Sequence, residues 1–391
     1  MTSAQDNIEG RLDILLAPAR GIVEIRSSRP VAAARVFEGR TITDTLQLLP
    51  LLYNVCGQAQ AVAAIRAVES ALQTPAGSDV ERVRNRLVDL ETLREHLWRV
   101  LLDWPRFYGS TPSTQHLAPL MGTIQAARQL MDPGSALCRQ PGLRQVTAGN
   151  PSVAENWQKL RRDIAEQVFG GDVGAWLDQD PAALDSWVKR VDTPATQLLR
   201  FVRRRDWGRI GDSDVAALPA LADDELLRHL DGDDAETFVA TPELAYRPAE
   251  TGTLVRRADH PLLVAVQRDY GRGLYTRLLA RLVEIGQLLS GPETGDAEIG
   301  ESGSEPGSGS GLAQVEAARG RLCHRVILDG EHVVRYQILA PTEWNFGPRG
   351  PAVQALRSIT RGEGPVVQAQ ADLLIHAIDP CVGYRLEMEA A

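Results

Sequence analysis

The sequence predicts a mostly α fold with small β hairpins, an α+β architecture in which a helical core is closed by the N- and C-terminal segments. Apolar residues recur at three-to-four-residue spacing through the interior of the chain. Alternating runs that suit strands lie towards the two ends, and Pro, Gly and Asp interrupt the helical pattern between them.

The elements follow in order. Residues 10–27 read as a hairpin, with Leu12 and Ile14 facing Ile22, Val23 and Ile25 across the turn-like Pro18-Ala19-Arg20-Gly21. From about residue 41, Leu46, Leu49, Val62, Ile65, Val68 and Leu72 imply buried helices around Cys56. A long amphipathic helix is expected over 79–103, with Val83, Leu87, Leu90, Leu93, Leu97 and Leu101 on one side. Helical patterns continue over 113–131, 152–168, 182–203 and 260–290. Residues 291–311 are a low-complexity Gly, Ser and Glu stretch too polar to bury, predicted to be a disordered loop within a single domain spanning 1–391. A second hairpin, 321–328 with 332–339, turns at Asp329-Gly330. Helices over 351–361 and 365–377 then lead to Asp379-Pro380-Cys381, where proline ends the last one.

A chain of 391 residues buries enough surface to need no disulfide or structural metal. The net charge of -9 and the lack of a basic stripe argue against nucleic-acid binding. No basic n-region precedes an apolar run at the start, and no later run reaches membrane-spanning length, so a cytoplasmic protein without membrane association is expected. In a reducing compartment its four scattered cysteines, Cys56, Cys138, Cys323 and Cys381, suit metal binding or inert burial better than disulfides.

Two of these cysteines stand out. Cys56-Gly57-Gln58-Ala59 and Cys381-Val382-Gly383-Tyr384 each look like a Cys-x-x-Cys pair that keeps its first thiol and lacks its second. Together they offer two sulfurs where two complete pairs would offer four.

Several segments in this order resemble the large subunit of nickel-iron hydrogenases. At the start these are Ile8-Glu9-Gly10-Arg11-Leu12, Phe37-Glu38-Gly39-Arg40 with Asp44, and Cys56-Gly57 leading to Ala64, Ala67, Val68 and Glu69. At the end they are Ala317-Ala318-Arg319-Gly320 with Leu322 and His324, Ala340-Pro341-Thr342-Glu343-Trp344-Asn345, and Asp379-Pro380-Cys381. His96 and Asp103 look like the family's helix after the first cysteine motif.

The resemblance implies a hydrogenase large-subunit-like helical core. In that family the first cysteine of each pair is a terminal nickel ligand, and the second bridges nickel to an iron carrying two cyanides and one carbon monoxide. Here Ala59 and Tyr384 hold the bridging positions, so the four-sulfur cage cannot form and no nickel is expected. Further departures are Asn54, Ala63, Ala34 and Glu387, where the family has an arginine, a histidine, a proton-relay glutamate and a final histidine.

The surviving set resembles the pocket around the iron's diatomic ligands: Cys56 and Cys381 as iron ligands, Arg319 donating to a cyanide nitrogen, and Pro341 and Thr342 facing a cyanide. The combination looks like the HupK/HoxV-type hydrogenase expression and formation proteins, degenerate relatives of the large subunit. It implies a maturation scaffold rather than an enzyme, with the iron unit as transient cargo. The implied partners are HypC-like and HypD-type maturation proteins and the hydrogenase large-subunit precursor. The alternatives are a divergent catalytic subunit, a metal-free structural homologue in a larger complex, and a redox-sensitive disulfide between Cys56 and Cys381. Cys323 is read as packing, with His324 on the opposite face of its strand, Cys138 as lying in a loop without partners and His376 as a core or interface residue, none of them assigned to chemistry; Trp344 is read as core and Asn345 as a turn former.

Overall fold

The structure is a computed structural model that describes residues 10–112, 114–146, 151–290, 309–359 and 364–389. Sequence alone suggests one domain over 1–391; the described chain groups into two compact units, each interrupted by the other in sequence. Unit 1 comprises residues 1–74, 213–252 and 300–391, and unit 2 comprises 75–212 and 253–299.

Unit 1 opens with strands β1 (Leu12–Ala17) and β2 (Ile22–Ser27), an antiparallel hairpin running from Leu12↔Ser27 to Ala17↔Ile22. Helices α1 (Ile42–Leu52) and α2 (Gly57–Leu72) follow. Thr41 caps α1 by accepting from Asp44 N at 3.1 Å, which satisfies one of the orphan donors of the first turn. The alanines of α2 let a strand approach closely: a Cβ on Gly311 would lie 2.0 Å from the Ala67 carbonyl oxygen. Only glycine fits there.

Unit 2 is helical: α3 (Ser78–Trp98), α4 (Thr114–Met131), α5 (Pro151–Ile164), α6 (Pro181–Arg190) and α7 (Pro194–Arg204). The helix expected over 79–103 is α3 continued by a π-helical turn, Arg99–Asp103. The helix expected over 182–203 is two, because Thr193 starts a new capping box ahead of Pro194.

Back in unit 1, α8 (Asp223–Asp231) and α9 (Ala235–Ala240) lie between Ala216–Ala217 and Ala249–Glu250, which pair in parallel. Unit 2 then resumes with α10 (Pro261–Tyr270) and α11 (Leu274–Ser290). The expected 260–290 helix is thus broken at Gly271, whose φ of 57° suits glycine. On α11, buried Glu284 meets His96 Nε2 at 2.7 Å, Arg256 Nη2 at 2.8 Å and Arg257 Nε at 3.1 Å.

The final part of unit 1 is a three-stranded antiparallel sheet, β3 (Ser310–Ala317), β4 (Gly320–Asp329) and β5 (His332–Leu339), in that order. The expected loop over 291–311 is corrected at its end, since Ser310 and Gly311 belong to β3; residues 291–308 lie outside the described residues. Leu312, Cys323, Leu339 and Trp344 share a core with Leu226, Leu230 and Phe238. Helices α12 (Pro341–Phe346), α13 (Pro351–Arg357) and α14 (Gly364–Ile378) lead to β6 (Tyr384–Met388). This last strand pairs in parallel with β1, from Leu12↔Tyr384 to Leu16↔Met388, so the two ends of unit 1 share one sheet. No single helix among the described residues is long and apolar enough to cross a membrane.

Candidate functional site

Cys56 ends a 3-10 turn, Asn54–Cys56, between α1 and α2, and Cys381 follows Pro380 just after α14. Neither cysteine forms a disulfide, and both are partly exposed. Both line one cavity of about 270 Å³ in unit 1. Its walls are largely apolar, from Pro30, Val31, Val55, Ala317, Ile338, Pro341 and Val382, with a few convergent polar groups from Arg29, Arg319 and Glu343.

Each sulfur is held by a buried side chain. Thr342 Oγ1 donates to Cys381 Sγ at 3.0 Å and accepts from Cys381 N at 3.2 Å, so one hydroxyl fixes both thiol and backbone. Gln60, one helical turn beyond Cys56 on α2, donates from Nε2 to Cys56 Sγ at 3.6 Å, within the longer reach of sulfur. That orientation turns Gln60 Oε1 towards His324 Nε2 at 2.8 Å, so Nε2 carries the ring proton and donates. His324 Nδ1 then accepts from the Tyr336 hydroxyl at 2.8 Å. Burial drives the His324 pKa down to about 3, which keeps the ring neutral and the chain in this polarity.

Arg319 stands in the two-residue turn between β3 and β4, where Ala317 pairs with Gly320. Its Nε donates to Asp379 Oδ1 at 3.2 Å, and both residues are buried. Asn345 braces this turn: its Nδ2 donates to Thr251 O at 2.9 Å and Arg319 O at 3.5 Å, while its Oδ1 accepts from Thr251 N at 3.0 Å. Asp379 ends α14 with its N–H on Ile375 O at 2.8 Å and a left-handed φ of 72°. It therefore serves as helix terminator and arginine partner together.

Arg29 enters from the loop after β2. A Cβ on Gly10, which has φ of 68°, would lie 2.6 Å from Arg29 Cα, so the glycine of Glu9-Gly10-Arg11 lets this loop pack against the strand entrance. Arg29 Nη1 lies 2.8 Å from Glu343 Oε1 on α12. Burial opposes the Arg29 charge, but Cys381, Glu343, Cys56 and Tyr53 together outweigh it and hold the guanidinium protonated. Burial likewise raises the Glu343 pKa, with Arg29 acting against it.

The five expected site residues, Cys56, Cys381, Arg319, Pro341 and Thr342, are thus brought to one region; the first four line the cavity, and Thr342 meets Cys381. The Thr342 proton points at the Cys381 sulfur rather than into open cavity. Ala59 is fully buried within α2, and the Tyr384 hydroxyl donates to Asp372 Oδ1 at 3.0 Å. Sequence reasoning missed Arg29, Glu343, Gln60 and His324. Gln60 carried a signal in its i+4 spacing from Cys56, which puts both on one helix face. Arg29 carried none, because its place depends on tertiary packing.

Two sulfurs, two guanidiniums each paired with a buried carboxylate, and apolar walls in a fold with this element order define a hydrogenase large-subunit-like protein with a reduced thiol set. The nickel-iron-selenium hydrogenase of Desulfovibrio vulgaris Hildenborough superposes with a TM-score of 0.62 over 96% of each chain at 18% identity, a likeness of fold. A nickel-dependent hydrogenase family model matches residues 229–383. The hydrogenase expression/formation protein HupK of Bradyrhizobium diazoefficiens is 33% identical over 94% of this chain and 92% of its own length. HoxV of Cupriavidus necator, also a hydrogenase expression/formation protein, is 30% identical over 97% and 96%. The chain belongs to this HupK/HoxV family of hydrogenase expression/formation proteins, degenerate homologues of the nickel-iron hydrogenase large subunit.

Proposed function

We propose that this protein acts in hydrogenase formation as a non-enzymatic scaffold. It holds an iron unit carrying two cyanides and one carbon monoxide between Cys56 and Cys381, and passes it to the large-subunit precursor of a nickel-iron hydrogenase. The observation that carries the reading is that these two thiols line one cavity while Ala59 and Tyr384 replace the sulfurs a nickel site would need. The names of its relatives support a role in hydrogenase formation.

The donor set suits such a cargo. Among the described residues no group of three or more His, Cys, Asp or Glu side chains is arranged to hold a metal ion. An iron that brings three diatomic ligands needs few protein donors, and soft thiolates match it. Arg319 offers N–H donors to a cyanide nitrogen, and the apolar wall accommodates carbon monoxide. Two anchors hold less tightly than the four of an acceptor site, so transfer runs downhill. Docking of HypC-like and HypD-type proteins at the cavity mouth, in the cytoplasm, completes the proposal.

Anaerobic purification from a hydrogenase-forming host, followed by infrared spectroscopy, tests it. Cyanide and carbonyl bands are expected in the wild-type chain and absent from Cys56→Ser and Cys381→Ser. Bands that survive both substitutions overturn the ligand assignment, and nickel with hydrogen-dependent dye reduction replaces the scaffold by a catalytic subunit.

A further inference from the structure

The Thr342 hydroxyl has a single proton, directed at Cys381 Sγ at 3.0 Å, while its oxygen accepts from Cys381 N. A cyanide nitrogen offered to this part of the site meets a donor already engaged. Arg319 supplies one guanidinium to the cavity wall, and Arg29 supplies another.

Arg29 is built in rather than draped over the surface. Its side chain is 13% exposed and that of its partner Glu343 8%, and Gly10 packs directly under its backbone. Glu343 Oε1 lies 2.8 Å from Nη1 as an ion pair, yet Nη1 is buried without a hydrogen-bond partner among the described residues, and a guanidinium carries five N–H donors in a fixed fork. Glu343 Oε2 is buried without a hydrogen-bond partner among the described residues. The pair is thus incompletely satisfied, and an acceptor ligand that takes the Nη1 proton removes the cost of that orphaned donor.

Resting on the scaffold reading, we propose that Arg29 is the second cyanide-binding residue of the cavity, the counterpart of Arg319, and that Glu343 competes with the ligand for its guanidinium. The ligand class is a small anion ending in a linear nitrogen, either cyanide on iron or a free ion of the same shape. No covalent bond is made or broken; the ligand adds a charge-assisted hydrogen bond at the expense of part of an ion pair.

The experiment has two arms. In the first, the iron-free full chain is titrated with potassium thiocyanate and its C–N stretch is followed in the infrared. Saturable binding is expected for wild type, with loss in Arg29→Met, weakening in Arg29→Lys, and roughly tenfold tightening in Glu343→Gln, the scale of one charge-assisted hydrogen bond. A merely structural pair would weaken binding in both Arg29→Met and Glu343→Gln. The double variant R29M/E343Q removes both charges together, which guards against unfolding by a lone buried charge, and is expected to bind no thiocyanate. In the second arm, protein from a hydrogenase-forming host is compared with its Arg29→Lys variant, where one cyanide band should shift and the carbonyl band stay.

Thiocyanate binding that ignores Arg29, or cyanide bands unmoved by Arg29→Lys, overturns the inference. Absence of cyanide and carbonyl bands from the wild type instead defeats the scaffold reading, and the thiocyanate arm still decides the role of Arg29.

Discussion

Thr342 and Cys381 are bonded twice, through Oγ1 to Sγ at 3.0 Å and through N to Oγ1 at 3.2 Å. One buried side chain thereby sets both the direction of the thiol and the path of the backbone that carries it. Thr342→Val keeps the shape and removes both bonds. It is expected to destabilise by about 1–3 kcal/mol, the cost of a buried unpaired group, and to lower iron retention. Thr342→Ser should restore both properties. Chemical denaturation and metal analysis of the three proteins check this.

His324 predicts a pH dependence. Its folded pKa of about 3 lies below the ordinary 6.5, so the unfolded chain takes up the proton first. The stability it secures is complete above about 6.5 and declines as pH falls towards 3, by up to about 1.4 kcal/mol per unit. His324→Gln should remove this component, so the stability difference between variant and wild type narrows on acidification. A difference that stays constant from pH 7 to 4 would show that the ring is not buried neutral.

In unit 2, Glu284 joins His96, Arg256 and Arg257. Burial opposes its charge, but Arg256 and the His96 hydrogen bond outweigh this and hold its pKa well below 4.5. A depressed acid contributes stability above its unfolded pKa and loses it as pH falls through the folded one. Glu284→Ala is therefore expected to cost about 3–5 kcal/mol at neutral pH, and less in strong acid. Hydrogen exchange in α3 and α11 should report it.

Gly311→Ala tests the close approach of β3 to α2. Its methyl carbon would stand 2.0 Å from Ala67 O and 2.4 Å from Ala71 N, both backbone atoms that cannot swing aside. A loss of about 1–3 kcal/mol or more is expected from such overpacking. Gly330→Ala, at φ of 56° with open space around it, should cost only about 1 kcal/mol. Equal melting temperatures for the two variants would contradict the packing.

Much of the fold was legible because its signals are local. The hairpins around Pro18 and Gly330 and the long helix now seen as α3 declare themselves by period and turn chemistry. Strand β3 was hidden because Ser310 and Gly311 continue the composition of the polar stretch before them, and their strand state comes from pairing with β4. Strand β6 was hidden because its partner, β1, stands at the other end of the chain. The site divides in the same way. Cys56, Cys381 and Arg319 were visible as motif positions, whereas Arg29 and Glu343 form an ion pair across more than three hundred residues. His324 was assigned no chemistry because its link to Cys56 runs through a glutamine on another element.

The parallel pairing of β1 with β6 has a bearing on biosynthesis. Leu12, Ile14 and Leu16 are each 1% exposed in the finished molecule, and among the described residues the β1 edge away from β2 pairs with residues 384–388. Until residues 384–388 have been made, the apolar strand therefore has a vacant flank, the template on which wrong partners add. The nascent chain is most vulnerable before that flank is closed, and the sheet is complete only when two segments more than three hundred residues apart have met.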